Sequence, residues 1–239
     1  MIDVIPYNRE DAGAPPSRFP DYRSTALRSP RQPLVRIPAT LTETTGPTDA
    51  WERLMVGPAA IDLTAQHKAV PQGQRIIVSG RVLDDGGRPV PNTVIEIWQA
   101  NAAGRYVHSV DNWDAPLDPN FTGAGRVVTD DEGRYQYTTV RPGAYPWGNH
   151  KNAWRPGHIH LSLLGPAFAT RLVTQMYFPD DPLIEIDPIA NTVPMPFRQR
   201  LVGRFDIGTT REAWALGYLF DIVLKGREQT PFEEGAHDH

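Results

Sequence analysis

From residue 74 onward the chain consists of short stretches in which apolar and polar residues alternate, separated by turn sequences. "QRIIVSGRVLD" runs through "DDGGRP" into "VPNTVIEIWQA", and "GRVVTDDEGRYQYTTVRPG" repeats this order of strand, turn and strand. "GHIHLSLLG", "ATRLVTQMYF", "QRLVGRFDI" and "YLFDIVLKG" have the pattern of further strands. Successive side chains of a strand point to opposite sides, so each stretch predicts a strand. Many short strands with few helical stretches predict a mainly β fold, a β-sandwich of mixed sheets with long loops.

The N-terminal part of the chain lacks this alternation and is rich in proline. Eight of the 24 prolines fall within residues 1–50, where no periodicity lasts long. Its apolar residues favour an extended arm laid across a neighbour over a free tail; they are Tyr22, Leu27, Leu34, Val35 and Ile37. We expect an N-terminal arm over residues 1–70, with a short helix at "DAWERLMV" and contacts to partner subunits, and a β-sandwich domain over residues 71–239.

Two long loops interrupt the predicted strands. They are "VHSVDNWDAPLDPNFTGAG" and "PDDPLIEIDPIANTVPMP", both longer than a simple hairpin connection. Loops of this length often carry function. Each is therefore a candidate for a pocket wall or a subunit contact.

Composition excludes several classes of function. The net charge of −4 argues against a nucleic-acid partner, which normally requires an excess of Lys and Arg. The N-terminus lacks the pattern of a secretory signal, and the apolar run "AWALGYLFDIVL" is too short for a membrane span, so we expect a cytoplasmic protein with no membrane partner. The chain has zero cysteines, so any metal must be held by nitrogen and oxygen ligands.

The stretch "WRPGHIHLSLLG" places two histidines one residue apart on a predicted strand. His158, His160 and Ser162 would share one face of this strand, which is also what an ordinary half-buried strand shows. Two imidazoles side by side on a rigid strand could also bind one metal ion. A zinc site with a third ligand and a ferrous site with two histidines and one carboxylate both stay open on spacing alone. A cupin-type site is less favoured, because no glutamate follows the pair closely.

Tyrosines that precede this pair are the other oxygen donors. Tyr106 ends "ANAAGRY" and Tyr145 lies in "VRPGAYPW". A phenol has a pKa of about 10 and ligates at neutral pH only where a strongly charged cation, such as ferric iron, displaces its proton. Either tyrosine taken alone is explained equally well as a half-buried aromatic residue.

Longer stretches of the chain resemble the intradiol ring-cleavage dioxygenases. The similar segments are "VSGRVLDDGGRPVPNTVIEIWQANAAGRY", "APLDPNFTGAGRVVTDDEGRYQYTTVRPGAYPW", "NAWRPGHIHLSLLGP" and "TQMYFPDDPLI". The similarity runs through most of residues 20–225. The order "GRY", "AYPW", "RPGHIH" is highly specific, far more so than an isolated pair of histidines.

The resemblance implies a metal site and a reaction. One non-haem Fe(III) per subunit would be held by Tyr106 and His158 as equatorial ligands and by Tyr145 and His160 as axial ligands. Tyr145 would leave the metal as a base when a catechol binds. Arg155 would stabilise negative charge on the substrate, whose ring opens with O2 between the two hydroxyl-bearing carbons.

The same resemblance assigns residues to the substrate pocket. They are Tyr22 in the arm, Trp147, Gln175 and Ile189. Near Ile189 a family member has a cysteine, where this chain has Asp187.

The N-terminal arm narrows the choice within the family. Catechol and hydroxyquinol 1,2-dioxygenases have a helical dimerisation segment there, whereas this arm is rich in proline. The resemblance therefore points to cleavage of protocatechuate (3,4-dihydroxybenzoate) to 3-carboxy-cis,cis-muconate, by a chain paired with a smaller alpha subunit in a hetero-oligomer. A rival hypothesis is a transthyretin-like sandwich used only for binding, since "GRVLDDGGRPVPNTVIEIW" would fit such a module. That hypothesis gives no reason for the two tyrosines and two histidines to meet.

Overall fold

Two β-sheets face each other across an apolar core in the computed structural model, which describes residues 13, 15–32, 61–165, 168–224 and 229–231. The mainly β prediction is confirmed. The predicted helix at "DAWERLMV", the anchors Leu34, Val35 and Ile37, and the terminal His237 and His239 lie outside the described residues. Among the residues described, no helix is long and apolar enough to cross a membrane.

The described strands and helices are short. In chain order the strands are β1 (Arg75–Leu83), β2 (Val94–Gln99), β3 (Ala124–Val128), β4 (Arg134–Val140), β5 (Tyr145–Pro146), β6 (Trp154–Arg155), β7 (His158–Gly165), β8 (Phe168–Tyr177), β9 (Arg204–Phe205), β10 (Leu216–Leu219) and β11 (Ile222–Val223). The helices are α1 (Thr25–Arg28), α2 (Pro188–Thr192) and α3 (Met195–Arg198), with 3-10 turns at Leu63–Ala65, Pro182–Ile186 and Gln199–Leu201.

The two sheets differ in strand direction. In the first sheet β1 pairs with β4 in antiparallel fashion on one side and with β10 and β11 in parallel on the other, and β9 pairs with β10. The second sheet has the order β3-β2-β7-β8, with every pair antiparallel. Strands β5 and β6 form a separate two-stranded ribbon. The first sheet is therefore mixed, as predicted, whereas the second is purely antiparallel.

The two predicted strand–turn–strand units do not close as simple hairpins. Turn "DDGGRP" leads from β1 in the first sheet to β2 in the second, and "DDEG" leads from β3 in the second sheet to β4 in the first. Within each unit, the two strands are hydrogen-bonded to each other only next to the turn, as in the 2.9 Å bond from the Val90 N–H to the Val82 carbonyl. Because β1 and β2 both carry apolar side chains, such as Val78 and Ile97, the crossing lets both strands bury them in one core.

Two predicted strands are shorter than the sequence pattern indicates. In "QRLVGRFDI" only Arg204–Phe205 forms a strand, because Gln199–Leu201 forms a 3-10 turn first. The stretch "YLFDIVLKG" is interrupted between β10 and β11. There the Asp221 carboxylate accepts a 2.8 Å hydrogen bond from the Arg81 N–H and so replaces one backbone pairing.

Strand β7 is buried on both faces. Ile159, Leu161 and Leu163 are fully buried in the core between the sheets. His158, His160 and Ser162 share the opposite face, as predicted, and they too are buried. A polar strand face that is buried must find polar partners.

Gly80 of β1 lies where two segments of the first sheet approach closely. A Cβ at this position would overlap the backbone carbonyl of Phe220. That carbonyl is itself held by a 2.5 Å hydrogen bond from the Tyr135 hydroxyl, so it cannot easily move away.

We predict that Gly80→Ala lowers the free energy of unfolding by about 1–3 kcal/mol, because the added methyl group forces two backbones apart. Urea denaturation followed by tryptophan fluorescence measures the change. Gly148→Ala is the matched control, since the space around Gly148 is open; its effect should stay within about 0.5 kcal/mol. Equal unfolding midpoints for the two variants would contradict the prediction.

Candidate metal centre

The register of three strands and one ribbon brings the predicted ligands together on the outer face of the second sheet. His158 lies opposite Tyr177 of β8, and His160 lies between Trp98 of β2 and Gln175 of β8. Ribbon β5–β6 pairs Tyr145 with Arg155 beside them.

The two histidines present their Nε2 atoms to each other. The Nε2–Nε2 distance is 3.2 Å. His158 Nδ1 lies 2.7 Å from the Pro156 carbonyl, to which only an N–H can donate, so its Nε2 carries the lone pair. Burial lowers the pKa of His158 well below its usual value, and Arg155 and His160 lower it further. His158 is therefore neutral, which is the form that binds a metal.

The ring of His160 is held by stacking. It lies parallel to the indole of Trp98, with ring centroids 4.7 Å apart and an interplanar angle of 5°. This contact fixes the plane of the imidazole and therefore the direction in which Nε2 points.

The two tyrosines complete the cluster. The Tyr145 hydroxyl oxygen lies 3.4 Å from His158 Nε2. The Tyr106 ring meets the Tyr145 ring edge-on, with centroids 5.4 Å apart, and its centroid lies 6.5 Å from that of His160. At its backbone the Tyr106 N–H donates to the Asp111 carboxylate at 2.8 Å, which anchors the loop end that carries it. Burial raises the pKa of Tyr145, and Arg155 partly opposes this.

This donor set fits ferric iron. It contains imidazole nitrogens and phenol oxygens, and a phenol whose pKa is raised gives up its proton only to a strongly charged cation. Within the described ranges no group of three or more His, Cys, Asp or Glu side chains could hold a metal. A metal site built around His158 and His160 therefore requires the tyrosines, which disfavours the zinc and two-His-one-carboxylate alternatives.

Arg155 is the buried charge beside this cluster, with 3% of its surface exposed. Its Nη1 lies 3.0 Å from His158 Nε2 and donates to the Tyr145 hydroxyl at 3.3 Å. Its Nη2 donates to the Gln175 side-chain oxygen at 2.6 Å. Burial acts to lower the pKa of Arg155, but Asp187, Tyr145 and Tyr177 together raise it, so the net pKa lies above its usual range and the guanidinium is charged.

The predicted pocket residues reach the cluster to different degrees. Gln175 contacts Arg155 directly, and the Trp147 ring centroid lies 5.8 Å from the guanidinium carbon. Tyr22 of the arm packs on Trp147, with centroids 5.5 Å apart. Ile189, in α2, is linked to the cluster through its N–H, which donates to Asp187 at 3.2 Å.

Sequence reasoning missed several side chains that organise the centre. The Tyr177 hydroxyl accepts from Arg155 at 3.0 Å, and Asn149 holds the arm by accepting from the Arg23 N–H and donating to the Asp21 carbonyl. Tyr177 could have been found, because it follows Gln175 by two residues and so shares its face of β8. Asn149 has no such signal, since its partners lie more than 120 residues away in sequence.

Comparisons with known proteins agree with this arrangement. A family model described as "Dioxygenase" matches residues 46–226, and one described as "Protocatechuate 3,4-dioxygenase beta subunit N terminal" matches residues 7–40. The chain is 58% identical to the protocatechuate 3,4-dioxygenase beta chain of Burkholderia cepacia, over 90% of this chain and 91% of that one. It is 30% identical to the alpha chain from the same organism, over 67% of this chain and 77% of that one.

The fold is also found among solved structures. 3-Chlorocatechol 1,2-dioxygenase from Rhodococcus opacus 1CP superimposes with a TM-score of 0.54 at 23% identity, covering 69% of this chain and 64% of that chain. The meeting of the four predicted ligand residues and the family matches over most of the chain argue against a sandwich of the transthyretin-like type. The chain belongs to the intradiol ring-cleavage dioxygenase family, in the group of the protocatechuate 3,4-dioxygenase beta chains.

Proposed function

We propose that this chain is the iron-bearing subunit of an enzyme that cleaves protocatechuate with O2 to 3-carboxy-cis,cis-muconate, in aromatic compound catabolism through the β-ketoadipate pathway. The observation that carries the proposal is the meeting of two histidines, two tyrosines and a buried arginine on one sheet face. Similarity to a protocatechuate 3,4-dioxygenase beta chain over 90% of the chain supports the choice of substrate.

Intradiol dioxygenases depend on non-haem iron, and we propose one Fe(III) per chain, held by Tyr106, Tyr145, His158 and His160. The three positive charges of the ion suit two phenolates and a hydroxide, which together leave a neutral centre that is less costly to bury. When bound, the metal would draw electron density from a chelated catecholate and so make its ring reactive toward O2.

The side chains around this site would manage protons and charge. A catechol must lose two protons to bind as a chelate, and the Tyr145 oxygen would accept one of them. Arg155 Nη1, which donates to that oxygen at 3.3 Å, would stabilise the phenolate before the transfer and the negative substrate afterwards. Trp147, Gln175, Tyr22 and Ile189 would form the pocket walls and exclude water.

We further propose an alpha subunit as the partner of this chain. The alpha chain of the B. cepacia enzyme is itself 30% identical to this chain, which supports a pair of related folds. In this proposal residues 1–70 form the arm that packs on partner subunits, and residues 71–239 form the catalytic domain. The arm also contacts its own chain through Asn149, next to the predicted pocket. A cytoplasmic location stays a prediction.

Purification of the chain with its alpha partner, followed by metal analysis and visible spectroscopy, tests the function. We expect one iron per chain and a broad band from charge transfer between phenolate and ferric iron, which shifts when protocatechuate is added under nitrogen. Admission of air should then consume one O2 per substrate and give the carboxymuconate. A protein that stays colourless after reconstitution with iron would refute the proposal.

We predict that His158→Ala lowers the iron content at least about tenfold, because a ligand fixed by the Pro156 carbonyl is lost. Mass-spectrometric metal analysis of the purified protein measures this. His67→Ala is the matched control: the His67 ring is exposed and bonds to the Thr122 hydroxyl. Iron retained at the parental level in the His158 variant would show that the ligand assignment is wrong.

Tyr145→Phe should behave differently, since the other three ligands remain. We expect the variant to keep iron but to bind protocatechuate at least about tenfold more slowly, because the base that accepts a substrate proton is gone. Stopped-flow absorbance at the visible band measures the rate. Tyr137→Phe provides the control, because Tyr137 is buried in the first sheet and its hydroxyl has no hydrogen-bond partner in the described part of the chain. Equal binding rates in both variants would contradict the proposed role of Tyr145.

A further inference from the structure

We propose that Asp187 is a positioning residue that aims the Arg155 guanidinium at the metal centre and ties it to the loop carrying Ile189. The expected kinetic effect rests on the proposed function. The contacts through which Asp187 would act are those of the described residues. The resemblance to the family indicates only that a relative has a cysteine where this chain has Asp187.

Asp187 has the local sequence of a helix cap, but its carboxylate does more than capping. The side chain precedes Pro188 and its Oδ1 accepts from the Ile189 N–H at 3.2 Å, as expected for the cap of α2. Asp181, which precedes Pro182 in the same loop, caps the neighbouring 3-10 turn in the same way. Capping therefore explains one oxygen of Asp187 and leaves Oδ2 to be accounted for.

The second oxygen faces the arginine. Oδ2 accepts from Arg155 Nη2 and from the Tyr177 hydroxyl, each at 3.1 Å, while Oδ1 also lies 3.4 Å from Arg155 Nε. Asp187 is fully buried, with 0% of its surface exposed. A buried carboxylate that meets two nitrogens of one guanidinium is a strong and directional contact.

Holding one edge of a guanidinium sets the direction of the other. The group is planar and rigid, so when Asp187 fixes the Nε and Nη2 edge, Nη1 must point away from it. Nη1 is the nitrogen that faces the Tyr145 hydroxyl and His158 Nε2. The carboxylate also balances a buried positive charge, which would be costly to leave alone.

The same carboxylate joins two walls of the site. Arg155 comes from the ribbon β5–β6, whereas Ile189 comes from the loop that follows β8. Both residues donate hydrogen bonds to the Asp187 carboxylate, so a shift of the loop would displace the arginine. Because a misplacement of about 1 Å can cost about 100-fold in rate, this link gives the loop a direct effect on turnover.

A double-mutant cycle on the iron-loaded enzyme with its alpha chain tests the inference. Asp187→Ala should lower kcat by about 10- to 100-fold in the parental background. In an Arg155→Ala background the same change should lower kcat less than about threefold, because the group through which Asp187 acts is absent. An equal loss in both backgrounds would overturn the inference, since a merely structural role gives additive effects.

Asp187→Asn tests the orientation of Arg155 separately from the capping of α2. Asparagine is as good a cap as aspartate, so α2 and Ile189 should stay in place while the charge on Arg155 becomes unbalanced. We expect kcat to fall, KM to change less than about threefold, and iron content to stay at the parental level. If Asp187→Ala does not fold alone, Asp187→Asn takes its place in the cycle. Asp62→Asn is the matched control, because Asp62 caps Leu63–Ala65 through the Thr64 N–H and contacts no part of the centre among the described residues; it should leave kcat unchanged.

The positioning role of Asp187 and the proposed function of the enzyme are tested by different measurements. If the parental enzyme cleaves no protocatechuate, the function is refuted, and the crystal structures of the parent and Asp187→Asn decide the inference. The inference predicts that Arg155 Nη1 moves away from the Tyr145 oxygen in the variant. An arginine that stays in place would overturn it.

Discussion

The burial of strand β7 on both of its faces is the constraint on which the rest of the molecule depends. Its apolar face, with Ile159 and Leu161 at its centre, completes the core between the two sheets. Its other face carries two histidines and a serine away from bulk solvent. A buried polar face is stable only if every group on it finds a partner. The covering loops, the ribbon β5–β6 and neighbouring strands supply those partners, and the resulting cluster is the candidate metal centre.

Charge is distributed around this face in a definite order. The two histidines and the two phenols lie together, Arg155 contacts His158, and Asp187 contacts Arg155 from the other side. Each group lowers the cost of burying the next, because a charge in the interior is tolerated only beside its opposite. The arrangement suits a site where a trivalent cation and an anionic substrate must meet without water.

The sequence predicted the fold and the ligands for different physical reasons. Alternation in "GHIHLSLLG" determines which residues share a face of β7, since the period of a strand is two. Tyr106 and Tyr145 could be assigned only through resemblance to a family. No local period relates Tyr106, in a loop 52 residues before His158, or Tyr145, in strand β5 and 13 residues before it, to strand β7. Turn sequences predicted that strands change direction but not which sheet each strand joins. The shared core determines which sheets are joined by the strands on either side of "DDGGRP" and "DDEG". The Asp187 contact with Arg155 likewise spans 32 residues and has no local signature.

The parallel pairing of β1 with β10 and β11 has a consequence for how the chain reaches its fold. Residues of the first strand are completed by partners near the end of the chain, as in the contact between Arg81 and Asp221, which are 140 residues apart. Contacts this distant must wait until the intervening chain is ordered, so they form late and slowly. During synthesis β1 is exposed on the side that β10 and β11 will occupy for as long as the ribosome takes to make the rest of the domain. Until then that open strand edge can pair with another chain.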